Sequence, residues 1–217
     1  MRAADKWDSA HFTSLFQASS LSHISGRLHA RPPASNSNRL ATLGITIIKK
    51  ELNMETFHEY INEYRKQLEK GAIQKAYKGL MEYVMDLRTH FKNKYPDYSV
   101  PSSIYYGYMD MTYFPVFPKS LKDRNLKIAI VLIHETLRFE AWLVGVNKGV
   151  QTQYWKMIKD SDWNQYHIVP TTQGYDSIIE HVLVESPDFN DLGALTKQIE
   201  NETLKFIKDV EGFLAIH

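Results

Sequence analysis

The chain of 217 residues contains no cysteine. That absence excludes disulfide frameworks, cysteine nucleophiles and thiolate zinc sites, and it predicts a chain that needs no oxidising compartment, hence a cytoplasmic one. Charge of one sign is also lacking: Lys and Arg total 26 against 25 for Asp and Glu. No global field draws the chain onto nucleic acid or an anionic membrane, so both partners are disfavoured. No apolar run approaches the roughly 18 residues that span a bilayer, and a soluble protein without membrane association is expected. Recognisable motifs are missing too. His58, His90, His134, His167, His181 and His217 form neither H-x-x-x-H nor H-E-x-x-H, which argues against a helical zinc site. "GVNKGVQ" is not a phosphate loop, and neither G-x-G-x-x-G nor the G-x-S-x-G elbow occurs. No metal or cofactor is implied.

What is present falls into two unlike parts. Residues 1–53 hold eight serines and no tyrosine, whereas all thirteen tyrosines lie beyond Met54. The first part carries seven basic and three acidic side chains, and "HARPPASNSNRLATLG" has the composition of an unpacked loop. In "KKELNM", Lys-Glu can be encoded by a purine-rich ribosome-binding sequence ahead of a methionine codon. The expectation is that 1–53 is a poorly structured extension, translated upstream sequence, and that 54–217 is a single α+β domain. An Arg- and Ser-rich targeting peptide is the competing account.

From Met54 onward, hydrophobic periodicity assigns the elements. Phe57, Ile61, Tyr64 and Leu68 lie on one helical face behind a capping box at Thr56 to Glu59. After Gly71, a second stripe runs through Ile73, Tyr77, Leu80, Val84, Leu87 and Phe91, and the two helices are expected to pack as an antiparallel pair. "SIYYGYMDMTYF" (103–114) reads as a strand that Pro115 and Pro118 stop. "LKIAIVLIHETLRFEAWLVG" reads as a hairpin turning at Glu135-Thr136. That turn sets Leu132 against Phe139, Ile130 against Ala141 and Ile128 against Leu143 on an apolar face. The opposite face pairs Ile133 with Arg138, Val131 with Glu140 and Ala129 with Trp142, a mixed surface that is solvated or lines a groove. Asn147 caps a helix, 177–186 adds a strand, and Leu192 to Phe213 forms a long amphipathic helix. The fold class is α+β: an antiparallel sheet centred on 103–144 with strand 177–185, flanked by an N-terminal helix pair and a C-terminal helix.

The stretches "EYRKQLEKGAIQKAYKGLMEYVMDLRTHFKNKYP", "GYMDMTYFPVFPKSLKDRNLKIAIVLIH" and "LRFEAWLVGVNKGVQTQYW" resemble an uncharacterised prokaryotic family catalogued only as a domain of unknown function. The resemblance covers about Glu55 to the C-terminus. It implies a bacterial or archaeal cytosolic domain and brings no activity, cofactor or catalytic residue with it.

The candidate site is therefore read from the residues. Asp110 is expected to share a strand face with Tyr106, Tyr108 and Thr112, and Arg138 to share another with Glu140 and Trp142. In adjoining strands, one guanidinium meets two carboxylates beside aromatic rings. The plain account is a structural ion pair that holds Asp110. The functional account is an aromatic-walled pocket in which Arg138 takes a small anionic or planar ligand. Three function classes are open. The first is a non-catalytic ligand- or partner-binding module centred on Arg138. The second is a metal-dependent hydrolase or nuclease using Asp110 and Glu140, although Trp142 stands where a Glu-x-Lys pattern places its lysine. The third is a subunit that forms a homodimer through its terminal helices. Lys119, Lys122, Arg124 and Lys127 are read as a solvated basic turn.

Overall fold

The structure, a computed structural model, describes residues 57–217. The expectations for the extension, the start at Met54 and the capping box at Thr56 lie outside the described residues. By backbone contacts the described residues fall into two compact units, divided between Lys78 and Gly79.

In the first unit, α1 covers 57–69. Gly71, at φ +70°, donates its amide to the Leu68 carbonyl at 2.9 Å and ends it, a backbone region glycine enters without steric cost. The apolar stripe forms as its spacing predicts, but it is not buried: Phe57 is 66%, Tyr60 67% and Tyr64 59% exposed. The N-terminal helices form as expected, and the α1 stripe stays open to solvent. The next helix, α2 (Ala72–Lys94), leaves Ile73 exposed and has its first buried side chain only at Met81.

In the second unit the hydrophobic core is assembled on a five-stranded, wholly antiparallel sheet: β1 (Met111–Val116), β2 (Leu126–Ile133), β3 (Arg138–Gly145), β4 (His167–Ile168) and β5 (Ile179–Val184). Their spatial order is β1-β2-β3-β5-β4. The hairpin has the predicted register, with Leu132 opposite Phe139, Ile130 opposite Ala141 and Ile128 opposite Leu143. All six are buried. Onto this face pack Val84, Leu87 and Phe91 of α2 and Ile199, Phe206 and Val210 of α5 (Leu192–Ala215). Ring contacts join Phe91 to Phe114 at 6.1 Å and Tyr83 to Phe139 at 5.8 Å. Between strands lie α3 (Lys119–Lys122) and α4 (Lys148–Lys159). The Asn147 side chain accepts from the Val150 amide at 3.0 Å as the expected cap of α4.

One expected strand divides. Residues 107–110 form a turn, so 103–106 does not extend β1 but returns beside it, with Tyr105 and Tyr113 exchanging backbone hydrogen bonds of 2.9 Å. Pro115 does not end the strand either, and β1 runs through it to Val116. The Tyr113 and Phe117 amides bond outward, to Tyr105 and Ser99, away from β2. Two-residue periodicity aims the Pro115 nitrogen the same way, so its missing N–H removes nothing from the β1–β2 ladder.

Candidate functional site

The mixed face of the hairpin brings three of the predicted side chains together. Arg138, Glu140 and Trp142 alternate along β3, so their side chains emerge on one side. Arg138 Nε donates to Glu140 Oε1 at 2.5 Å, and Trp142 Nε1 donates to Glu140 Oε2 at 2.6 Å. Arg138 Nη1 also lies 3.7 Å from Glu185 Oε1, just beyond the end of β5. Glu140 is buried and Arg138 partly exposed. Burial acts to lower the guanidinium pKa, but the Glu140 and Glu185 carboxylates outweigh it and hold the pKa above the ordinary arginine value. One guanidinium does meet two carboxylates, but the second is Glu185 rather than Asp110. Nothing in the spacing of the strands flags Glu185, because the register shift beside Phe139 and Glu140 changes which residue past β5 comes level with Arg138.

Asp110 has different partners. It precedes β1, whose Met111 pairs with Ile133, which pairs in turn with Arg138. Two strand spacings, about 10 Å at the backbone, separate the two segments. The carboxylate accepts from the Tyr108 amide at 2.8 Å, and the Met111 amide and its own amide also favour its charged form. Partial burial pushes its pKa up, but these amides and the nearby His134 more than offset that and leave it below the usual carboxylate value. Asp110 is thus an exposed turn-former, and neither a buried charge nor the partner of Arg138.

The turn explains why the expected Tyr106, Tyr108, Asp110 and Thr112 face does not exist. Gly107 at φ +62° and Met109 at φ +66° reverse the chain. A Cβ on Gly107 would lie 2.2 Å from the Met111 carbonyl oxygen and 2.3 Å from Asp110 Oδ1, so the turn requires glycine there. Tyr108 is consequently thrown out to 90% exposure, with Tyr106 and Met109 each near half, while Thr112 points into the core at 0%. Thr112 Oγ1 sits 2.9 Å from His134 Nε2 and 3.0 Å from the Tyr106 carbonyl. The His134 amide donates to the Asp110 carbonyl at 2.9 Å, which ties this turn to the hairpin turn at 134–137. Leu137 of that second turn, at φ +54°, is also exposed. Tyr106, Tyr108, Met109 and Leu137 therefore crowd one end of the sheet, with Arg138 next in chain.

The remaining mixed face is less open than its composition suggests: Lys127, Ala129, Val131 and Glu140 are all buried. The basic turn dissolves as a unit, since Lys127 lies inside β2 and Arg124 Nη2 donates to the Leu214 carbonyl at 2.9 Å, near the α5 C-terminus. A depression of about 430 Å³ lies elsewhere, between Asp97, Tyr98, Lys119, Asp123 and Glu211, and no predicted site residue lines it.

A second polar cluster has no counterpart among the sequence expectations. Glu200, buried on α5, receives His90 Nε2 at 2.7 Å, Lys94 Nζ at 2.7 Å and the Tyr95 hydroxyl. Burial pushes the Glu200 pKa up, but the hydrogen bonds from Lys94, Tyr95 and His90 outweigh it and hold the value at about 2. Burial, together with the same carboxylate, raises the Tyr95 hydroxyl pKa well above the tyrosine range. A signal exists, namely His90 and Lys94 one helical turn apart and a lone acid on the apolar face of α5. The cluster clamps α2 to α5 and leaves no oxygen of Glu200 free for chemistry.

Antiparallel sheet, packed helix layer and an exposed aromatic turn at the sheet end define an α+β domain. Residues 57–214 match the family described as domain of unknown function DUF7000, and the chain belongs to that family. No curated protein and no solved structure matches the chain.

Proposed function

We propose that the domain is a non-catalytic recognition module that binds a protein partner through the sheet end formed by Tyr106, Tyr108, Met109 and Leu137. One observation carries this reading: Tyr108 stands 90% exposed on a turn that Asp110 and Gly107 hold rigid. With the backbone held, only the two side-chain torsions of Tyr108 are left to order on contact, and aromatic anchors with an adjacent arginine are the groups that dominate protein interfaces. The surroundings of Arg138 favour a protein surface over a small anion. Glu140 and Glu185 overcompensate the guanidinium, and both Glu140 oxygens are engaged. The hydrolase reading draws no comparable support, because the bonds to Glu140 and the amides around Asp110 occupy the groups that chemistry would use. A cysteine-free chain is consistent with a cytoplasmic setting.

The test compares binders recovered by the wild-type chain with those recovered by Tyr108→Ala and Leu137→Asp, with Tm measured alongside. The expected outcome is a specific protein retained by wild type and weakened at least about tenfold by either variant at unchanged Tm. Equal retention by the variants overturns the reading. A thermal-shift screen of metabolites, nucleotides and divalent ions supplies the contrast. A ligand-induced rise in Tm abolished by Arg138→Ala would replace the protein partner with a small-molecule pocket.

A further inference from the structure

The α1 stripe raises a question separate from the sheet end: what an exposed face of Phe57, Tyr60, Ile61 and Tyr64 is for. We infer that α1 pairs with α1 of a second copy of this chain, antiparallel, as a weak and reversible dimer contact.

Three features point to that occupant. Phe57, Ile61, Tyr64 and Leu68 are spaced four, three and four apart, which is the alternation of core positions in a helix pair. Antiparallel alignment makes the stripe self-complementary, with Phe57 facing the partner's Leu68 and Ile61 facing the partner's Tyr64, and both contacts recur by two-fold symmetry. Parallel alignment would instead stack each ring on its own copy.

Charge selects the same direction. Residues 57–63 carry Glu59 and Glu63 for a net −2, with His58 neutral. Residues 64–70 carry Arg65, Lys66 and Lys70 against Glu69 for a net +2. An antiparallel pair lays each acidic half along the basic half of its partner and opposes the two helix dipoles, whereas a parallel pair sets like beside like.

The area sets the strength. At the observed exposures the four large side chains offer about 450 Å² per copy, given that an aromatic residue carries roughly 150–250 Å². A pair then closes about 900 Å², below the roughly 1,200 Å² of stable complexes and in the range of weak ones. The dimer is therefore concentration-dependent and dissociates on dilution.

Sedimentation of the full 217-residue chain over a concentration series tests the association. Wild type is expected to shift from monomer to dimer, and Ile61→Asp with Tyr64→Asp is expected to raise the Kd at least about tenfold while circular dichroism and Tm hold steady. The lack of cysteine makes orientation directly readable. Under mild oxidation, a Phe57→Cys chain mixed with a Leu68→Cys chain should form the mixed disulfide in preference to either symmetric one, because antiparallel pairing alone brings 57 beside the partner's 68. Wild type that stays monomeric throughout, as when residues 1–56 cover α1 within one chain, overturns the inference. So does a dimer insensitive to the double variant, or symmetric disulfides in place of mixed ones.

Discussion

Helices α1 and α5 carry the same kind of sequence and meet opposite fates. Each has an apolar stripe at helical spacing, yet Phe206, Ile207 and Val210 of α5 are at most 1% exposed, while Phe57 and Tyr64 of α1 keep more than half their surface. Periodicity identifies which face of a helix is apolar, but what covers that face depends on the rest of the molecule. The pair can be broken apart most forcefully with one aromatic truncation in each. Phe206→Ala empties a fully enclosed site and should cost about 3–5 kcal/mol, because the transfer energy and the cavity add. Phe57→Ala should change the stability read from the main transition by less than about 0.5 kcal/mol, as surface substitutions do. Chemical denaturation of the two variants checks both, and equal losses would show that the α1 stripe is enclosed in solution.

The next contrast concerns what locks α5 in place beyond its greasy face. Glu200 joins α5 to α2 through His90, Lys94 and Tyr95, an anchor for which α1 has no buried counterpart among the described residues. The Glu200 pKa is lowered from 4.5 to about 2 on folding, so the unfolded chain binds the extra proton first as acid is added. Its contribution is complete above about pH 4.5 and is lost as the pH falls toward 2. Glu200→Ala should cost about 2–3 kcal/mol at pH 7, since Lys94 stays half in water and softens the loss. Its stability should also fall less steeply than that of wild type between pH 4.5 and 2. Unfolding curves at several pH values read the slope, and parallel slopes would remove Glu200 from the clamp.

How far the sequence reveals these features depends on whether a local rule or a distant partner decides them. The hairpin register is legible because two runs of alternating residues around a short turn admit one pairing that buries Ile128, Ile130 and Leu132 together. Its mixed face is legible to the same degree, and Arg138, Glu140 and Trp142 do converge. The 107–110 turn reads wrongly as strand because aromatic and β-branched composition outweighs Gly107, although a glycine inside a strand-like run signals a reversal or bulge. Once that turn is lost, Asp110 is assigned to the wrong neighbour. The Arg138–Glu185 contact is illegible, and the His90–Lys94–Glu200 cluster shows its members without their pairing, for another reason. Each joins segments far apart in sequence, through a strand-end register shift in one case and helix packing in the other. Pro115 shows the converse, since a breaker is harmless when its nitrogen faces an edge.

The smallest expected effect separates the two helices by cooperativity. Lys66→Gly in α1 and Lys208→Gly in α5 both replace an exposed lysine within a helix, so each removes about 1 kcal/mol of helix propensity. In α5 the helix cannot loosen without uncovering Phe206 and Val210, so the loss is shared with the whole core, and Tm should fall by about 3 °C. In α1 the helix can fray without uncovering a fully buried side chain. Lys66→Gly should therefore leave Tm unchanged, and speed amide hydrogen exchange only around 57–69. Fast exchange confined to α1 in one variant, against a uniform shift in the other, is the outcome that keeps the two helices in separate cooperative units. A common fall in Tm would couple them, and would mean that the stripe on α1 is already closed against a surface that contributes to global stability.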